Sequence, residues 1–418
     1  MNRIQRVHNY LRLKDKIKNV FLGLYILQLF NYIAPLVIIP ILIKYIGLGE
    51  YGELVYITSI YQIVALFIDF GFTYTGPVVA ARHKCEIQNL QRYYSIVVFL
   101  KSLLFIIALT CVFLLCRLNI VHLSFLGFLS IFLCSIGNIV SPNWFLQGIG
   151  DFKKLSYSQV IVRITLFIML LVYVCSGGDN VFILSFLQNA TLLICCIYLW
   201  PNIHISHVVH LKPNECIVEF KKAGNVFIGV IGTIGYNGLI PVLIGNLCGN
   251  TSLGVFSIVQ KMTTACQSLI NPISQYMLSQ VSEIKPQDEL FYYRIKKSFF
   301  VHLTISIIAC LCYMGLGQYV ATFIGKVDVS FVIILYASVI TIFSSLNNVL
   351  GIQFLIPTDN VKILRSINVI AGIIVVSLSW LLISRFDILG GVLLNLIGEF
   401  LVFSMLAFIA HRKWGARV

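Results

Sequence analysis

Six charged residues lie inside long apolar stretches of the sequence, where few other charges occur. A charged side chain at the centre of a bilayer costs roughly 2.5 to 3.5 kcal/mol on insertion scales, so such residues usually face a water-filled cavity or a partner of opposite charge. The basic residues outnumber the acids, and a cavity that they line favours an anionic substrate. The six are Lys44, Lys101, Arg163, Lys261, Asp69 and Glu399.

The basic residues have two interpretations. Arg163 can bind a phosphate group through two parallel N–H donors, whereas the lysines act as point charges. Alternatively, Lys101, Arg163 and Lys261 form ion pairs with the two acids, and Lys44, close to the end of its apolar stretch, extends its ammonium to the interface. With both interpretations open, we predict that these four residues bind the anionic substrate.

The two acids are candidates for ion coupling. Glu399 lies near the middle of the last apolar stretch, where a carboxylate can carry a proton or accept a sodium ion during a transport cycle. Structural pairing with a cation is the alternative. Asp69 is the second candidate, although it lies near Arg82 and Lys84 in the sequence and can pair with one of them instead.

Uncharged polar residues also occur within the apolar stretches, among them Asn31, Tyr32, Tyr236 and Asn237. Their amide and hydroxyl groups can line a polar cavity that accepts sugar hydroxyls. The alternative is hydrogen bonding between neighbouring helices. With both alternatives open, these four residues are candidates for contacts to sugar hydroxyls.

No metal site or cofactor is predicted, apart from a coupling proton or sodium ion. The 12 cysteines lie mostly inside apolar stretches and none forms a CxxC pair, which is typical of small core residues. His204, His207 and His210 lie in a predicted loop that lacks a cysteine or carboxylate at ligand spacing. Structural zinc sites require such partners.

The composition predicts that these candidate residues lie on transmembrane helices. Of the 418 residues, 59% are apolar and 11% are charged, and the mean hydropathy is +0.92. Soluble domains have about 25% charged residues, so the chain is predicted to be an integral membrane protein. Its apolar stretches are long enough for transmembrane helices, which need about 20 residues, and do not alternate as the strands of a membrane barrel do. The twelve predicted spans are residues 20–46, 54–72, 94–115, 123–145, 155–175, 181–200, 226–247, 253–279, 298–324, 329–355, 367–383 and 389–410.

The basic residues outside these spans predict the orientation. Of the 30 Lys and Arg residues, 23 fall in the termini and in loops on the same side, and three fall in the opposite loops. Because cytoplasmic loops carry the excess of Lys and Arg, both termini are predicted to be cytoplasmic. This asymmetry also explains most of the net charge of +14 without a nucleic-acid partner.

The two halves of the sequence resemble each other. The segment from Asn19 to Gly23 is similar to the segment from Asn225 to Gly229, and Tyr51-Gly52 aligns with Leu253-Gly254. Parallel repeats of this kind occur in many transporters, and we predict two pseudo-symmetric six-helix lobes. The predicted domains are a basic cytoplasmic segment (1–19), an N-lobe (20–200), a cytoplasmic inter-lobe loop (201–224), a C-lobe (225–410) and a cytoplasmic tail (411–418).

Several motifs occur in order along the chain: Asn19, a proline-bearing first helix, Gly47-Leu-Gly-Glu-Tyr-Gly52, Asp69-Phe-Gly-Phe72 and Asn143-Trp-Phe-Leu-Gln-Gly148. Together they resemble the Wzx-type O-antigen flippases, which belong to the polysaccharide biosynthesis and export family of the multidrug/oligosaccharidyl-lipid/polysaccharide exporter superfamily. The resemblance covers the whole chain in length and layout, and its specific motifs lie mostly in the first 150 residues.

The resemblance implies a function. A Wzx-type protein of the bacterial inner membrane moves undecaprenyl-diphosphate-linked oligosaccharide repeat units from the cytoplasmic to the periplasmic leaflet. It does so by alternating access, coupled to a proton or sodium gradient, and is not an enzyme. The expected partners are the lipid-linked oligosaccharide, membrane lipids and other polysaccharide-assembly proteins, without nucleic acid.

Two other functions are open. A multidrug exporter of the same superfamily would favour acids in its cavity to bind cationic drugs, and here the basic residues predominate. A polytopic glycosyltransferase or polymerase would need paired acids or a metal site near an outer loop, and the sequence shows neither.

Overall fold

A computed structural model of the chain describes residues 37–83, 86–199, 211–282, 284, 288–358 and 360–415. These residues are almost entirely helical, which confirms the prediction of an all-α protein. In chain order the helices are α1 (37–69), α2 (Phe72–Arg82), α3 (Ile87–Arg117), α4 (Phe125–Val140), α5 (Asn143–Ile149), α6 (Phe152–Cys175), α7 (Val181–Asn189), α8 (Thr191–Leu199), α9 (Pro213–Ser282), α10 (Glu289–Gly325), α11 (Phe331–Asn347, followed by a π-helix over Asn348–Leu355) and α12 (Val361–Gly415).

Eight helices in the described residues are long and apolar enough to cross a membrane. The chain is therefore a multi-pass membrane protein, as predicted, while the number of twelve spans remains a prediction. The eight are Val37–Arg82, Gln88–Arg117, Phe125–Ile149, Lys154–Cys175, Gly238–Leu278, Glu289–Gly325, Phe331–Leu355 and Val361–Arg412.

Three of the longest helices contain a residue with a non-helical backbone. Gly47 in α1 has φ 87° and Gly249 in α9 has φ 88°, a conformation that glycine adopts without steric cost. Asp387 interrupts α12 with φ 49° and ψ −125°. Each of these helices therefore consists of two helical segments joined at a break.

Local caps define several of the shorter helices. The Asp151 carboxylate accepts a hydrogen bond from the backbone N–H of Lys154 at 3.2 Å, and the Asn180 side chain accepts one from Phe182 at 2.9 Å. Such side chains satisfy N–H groups that a helix start leaves free. Gly150, with φ 81°, ends α5 in the left-handed conformation that is common at helix C-termini.

The described residues fall into two compact units. The first comprises those of Phe67–Phe113 and Phe125–Gly224. Its core contains Trp144, whose ring stacks on Tyr94 at a centroid distance of 5.8 Å and meets Tyr93 edge to face at 5.4 Å. A Cβ atom on Gly76 would lie 2.8 Å from the Trp144 indole, so this glycine lets α2 approach α5.

The second unit comprises the described residues of Leu36–Leu66, Leu114–Ser124 and Asn225–Val418. Part of its core packs helices α10 and α12 and the π-helix together through Phe291, Leu406 and Phe354. The first 12 residues of α9, Pro213–Gly224, belong to the first unit and are helical, although this part of the chain was predicted to be a loop. The lobe boundaries at 20–200 and 225–410 remain a prediction.

Candidate functional site

Lys101 forms an ion pair inside the first unit. Its Nζ donates to Asp69 Oδ1 at 2.9 Å and lies 3.4 Å from the backbone oxygen of Asn138 on α4. Only 3% of Lys101 is exposed. In this structure Lys101 is therefore paired with an acid, which was the alternative to binding the substrate. The positive charge of Lys101 is compensated by Asp69.

Asp69 is positioned by a corner in the chain. Phe70 (φ 44°) and Gly71 (φ 89°) separate α1 from α2, and the Asp69 carboxylate accepts hydrogen bonds from the Thr73 hydroxyl at 2.7 Å and the Thr73 backbone N–H at 3.3 Å. Among the described residues its ion-pair partner is Lys101, not Arg82 as the sequence suggested; Lys84 lies outside them. The Asp69-Phe-Gly-Phe72 motif thus builds a helix corner that anchors α3.

Arg163 is half-buried in α6, in the first unit. No ion pair reaches its guanidinium from the part of the chain that the structure describes. A guanidinium carries five N–H donors in a fixed fork, so this side chain retains its capacity for an external anion.

Lys261 and Lys44 belong to the second unit. Lys261 is half-buried in α9 and makes no ion pair with a described residue. Lys44 is exposed, and its Nζ lies 5.3 Å from the centroid of the neighbouring Tyr45 ring. The two lysines thus differ, because Lys261 is partly enclosed, whereas Lys44 lies at the surface.

Glu399 lies in the second half of α12 and contacts an amide rather than a cation. The Asn347 Nδ2 donates to Glu399 Oε2 at 2.7 Å and to its backbone oxygen at 2.9 Å. No basic residue in the described segments pairs with this carboxylate.

Two amide oxygens near Glu399 are buried without a hydrogen-bond partner among the described residues: Asn347 Oδ1 and Asn395 Oδ1. Asn395 precedes Glu399 by four residues, so both project from the same face of α12. An unsatisfied buried acceptor costs about 1 to 3 kcal/mol. Carboxylate and amide oxygens are ligand types that hard cations prefer.

The remaining predicted residues are not tested. Asn31, Tyr32, His204, His207 and His210 lie outside the described residues, and so do the side chains of Tyr236 and Asn237 on α9. No group of three or more His, Cys, Asp or Glu residues that could bind a metal occurs in the described chain.

Sequence reasoning missed His302, which is fully buried in α10. Its Nδ1 lies 2.8 Å from the backbone oxygen of Ser298, and its Nε2 lies 2.8 Å from Ser274 Oγ on α9. The Ser298 hydroxyl donates to Gln353 of the π-helix at 2.6 Å. The only signal for it in the sequence was a histidine inside an apolar stretch. Its hydrogen bonds and that of Ser298 form a network that joins α9, α10 and the π-helix.

Residues 17–278 match the family described as polysaccharide biosynthesis protein. The chain belongs to this family. It is 24% identical over 407 residues to a protein of Escherichia coli (strain K12) named "Putative O-antigen transporter", with 92% of this chain and 94% of that protein covered. A second protein of the same name, from Shigella dysenteriae, is 24% identical over 401 residues and covers 92% of this chain and 97% of the relative.

Two solved structures have folds similar to that of this polysaccharide biosynthesis protein. A structure described as "Lipid II flippase MurJ, inward closed conformation" has a TM-score of 0.73 at 14% identity and covers 92% of this chain and 87% of its own. An inward-facing multidrug resistance MATE family transporter of the MOP superfamily has a TM-score of 0.68 at 13% identity, covering 92% and 95%. These similarities confirm the resemblance drawn from the motifs and the assignment to a multi-pass inner-membrane protein.

Proposed function

We propose that the protein is a flippase that moves undecaprenyl-diphosphate-linked O-antigen repeat units from the cytoplasmic to the periplasmic leaflet of the inner membrane by alternating access, and that it is not an enzyme. The observation that carries the proposal is the similarity, over 92% of the chain, to proteins named as O-antigen transporters. The fold of a lipid II flippase supports it.

The proposed topology has twelve spans with both termini in the cytoplasm. The breaks at Gly47, Gly249 and Asp387 each divide one of the eight long helices into two. The adjacent short helices α7 and α8 make one further span. In this topology Gly47 and Gly249 lie at the outer ends of the first and seventh spans, because 23 of the 30 basic residues lie on the other side.

Arg163 and Lys261 are proposed to bind the diphosphate of the cargo. Both are half-buried, and neither has an ion-pair partner among the described residues, whereas Asp69 is compensated by Lys101. The uncompensated charges therefore include two cations that can attract a diphosphate. Lys44, Asn31, Tyr32, Tyr236 and Asn237 remain candidates for further contacts to the cargo.

Glu399, with Asn347 and Asn395, is proposed to bind the coupling ion, either a proton or sodium. The supporting observations are its hydrogen bond to Asn347 and the unpartnered side-chain oxygens of Asn347 and of Asn395, one helical turn before it. Asp69 is the weaker candidate, because Lys101 already compensates its charge.

The function is tested by deleting the gene and analysing lipid-linked sugars. We expect the complete repeat unit to accumulate on the cytoplasmic leaflet and surface polysaccharide to disappear, with both restored by the wild-type gene. An incomplete repeat unit would identify an enzyme of assembly instead. Normal surface polysaccharide together with increased drug sensitivity would identify a drug exporter.

Arg163→Ala is expected to lower transport about tenfold or more, because a hydrogen bond to a charged group contributes about 1.5 to 3 kcal/mol and about 1.4 kcal/mol corresponds to tenfold. The measurement is surface polysaccharide in the deletion strain at matched membrane levels of the protein. Arg163→Lys, which keeps the charge but loses the fork, should retain part of the activity. The exposed Arg385, replaced by alanine, is the matched control, and equal activity of Arg163→Ala and Arg385→Ala would contradict the assignment.

A further inference from the structure

Two repeat-related segments of the second unit make the same contact twice. A Cβ atom on Gly52 would collide with the backbone oxygen of Asn250, and a Cβ atom on Gly254 would lie 2.9 Å from the backbone oxygen of Leu48. An offset of 202 residues relates Gly52 to Gly254 and Leu48 to Asn250. The two contacts are therefore equivalent under the internal repeat, and we refer to Leu48, Gly52, Asn250 and Gly254 as the glycine interlock.

The glycine interlock is flanked by the two helix breaks. Gly47 and Gly249 have φ angles of 87° and 88° and are related by the same offset. Such a φ favours glycine, because a Cβ atom is strained in this region. The backbone therefore turns in the same way in both repeats, immediately before the residues that touch.

Hydrogen bonds surround the interlock. The Tyr51 hydroxyl is 3.0 Å from Ser257 Oγ, and both residues are buried. The Tyr56 hydroxyl donates to Asn246 Oδ1, and the Asn246 amide donates to the backbone oxygen of Ile120 at 2.8 Å. Residues far apart in the sequence are consequently in contact at this end of the second unit.

The contact has the properties of a reversible closure. Glycine surfaces let two backbones approach closely without interdigitated side chains, as at small-residue contacts between membrane helices. Each of these hydrogen bonds contributes modestly to stability, because water can replace its partner.

We propose that the glycine interlock is the outer gate of the transport path, which closes when the cargo site opens to the cytoplasm and must part for release. This inference rests on the proposed flippase function and topology. It assigns to the Gly47-Leu-Gly-Glu-Tyr-Gly52 motif a role in closing the gate rather than in binding the cargo.

A disulfide across the gate tests the proposal. A Cβ atom on Gly49 would lie 3.9 Å from Thr251 Oγ1 and would meet no closer atom, and the two residues are related by the 202-residue offset. In the double variant Gly49→Cys/Thr251→Cys, the oxidant diamide accepts the two electrons and two protons lost when the thiols join. We expect oxidation to lower flipping by the full-length protein in vesicles at least tenfold, and dithiothreitol to restore it. Each single variant and the wild type, treated identically, should be unaffected, which controls for the 12 native cysteines.

The outcomes separate the gate from the function. Mass spectrometry of the peptide pair verifies the 49–251 bond. A verified cross-link with unchanged flipping would overturn the gate, as would failure of the bond to form under oxidation, because the closed contact requires these residues to be adjacent. If the wild type itself moves no lipid-linked oligosaccharide, the proposed function fails instead.

Discussion

Lys101→Ala is expected to destabilise the protein strongly. The replacement removes the only ion-pair partner that Asp69 has among the described residues, and the Asp69 side chain is 23% exposed. Removing one member of a buried pair costs about 3 to 5 kcal/mol, because the remaining charge is left uncompensated; residual exposure of Asp69 places the expected loss toward the lower value. The measurement is the midpoint of thermal unfolding in detergent, together with the amount of folded protein in the membrane.

The double variant Lys101→Ala/Asp69→Ala separates structure from cargo binding. If the pair serves structure, removing both partners should recover most of the stability lost in Lys101→Ala, and the double-mutant cycle should give a clear coupling energy. Flipping should then return to within about tenfold of the wild type. A double variant that is stable but does not transport would instead place Lys101 in the cargo site, as first predicted.

Lys101 shows why the sequence could suggest the candidates but not choose between their roles. Its depth in an apolar helix indicated that it needs water or a partner. Which of the two it has depends on the packing of α3 against the corner at Phe70 and Gly71 and against the α4 backbone at Asn138. That packing joins residues 32 and 37 positions apart, and no local pattern encodes it.

Two motifs that indicated the family have structural roles, because they form a helix corner and close contacts between helices. Asp69-Phe-Gly-Phe72 forms the corner between α1 and α2, and Trp144 of the second motif packs on Gly76. In the same motif, a Cβ atom on Gly148 would lie 2.6 Å from the backbone oxygen of Pro77. The apolar stretches were therefore sufficient to predict an all-α membrane protein, and the motifs to indicate the family. The contacts that these motifs make became visible only in the structure.

The buried hydrogen-bond networks were the least predictable part. An apolar window reveals a helix by its mean hydropathy, and one histidine hardly changes that mean, so His302 gave almost no signal. Its partners come from α9 and its own helix, and Gln353 joins from the π-helix. A π-helix is rare, and the apolar pattern of this segment predicted only a helical span. The hydrogen bond between Glu399 and Asn347 was equally unpredictable, because the two residues are 52 positions apart in the sequence.

Glu399→Gln is expected to abolish gradient-driven flipping while leaving the fold intact. Glutamine has the shape of glutamate and can still accept the hydrogen bond from Asn347 Nδ2, but it neither binds a proton nor balances a cation. In vesicles with an imposed proton or sodium gradient, the wild type should move lipid-linked oligosaccharide at least tenfold faster than without it. The variant should move it equally slowly in both conditions.

The gradients, applied one at a time, identify the ion and test the neighbouring amides. Asn395→Ala removes one unpartnered oxygen and should weaken sodium dependence if sodium binds there, while a proton carrier should tolerate the change. Glu289→Gln, an exposed carboxylate at the start of α10, is the matched control and should behave as the wild type. If Glu399→Gln retained a normal response to the driving gradient, the carboxylate would have no part in coupling, and its hydrogen bond to Asn347 would serve to join α11 to α12.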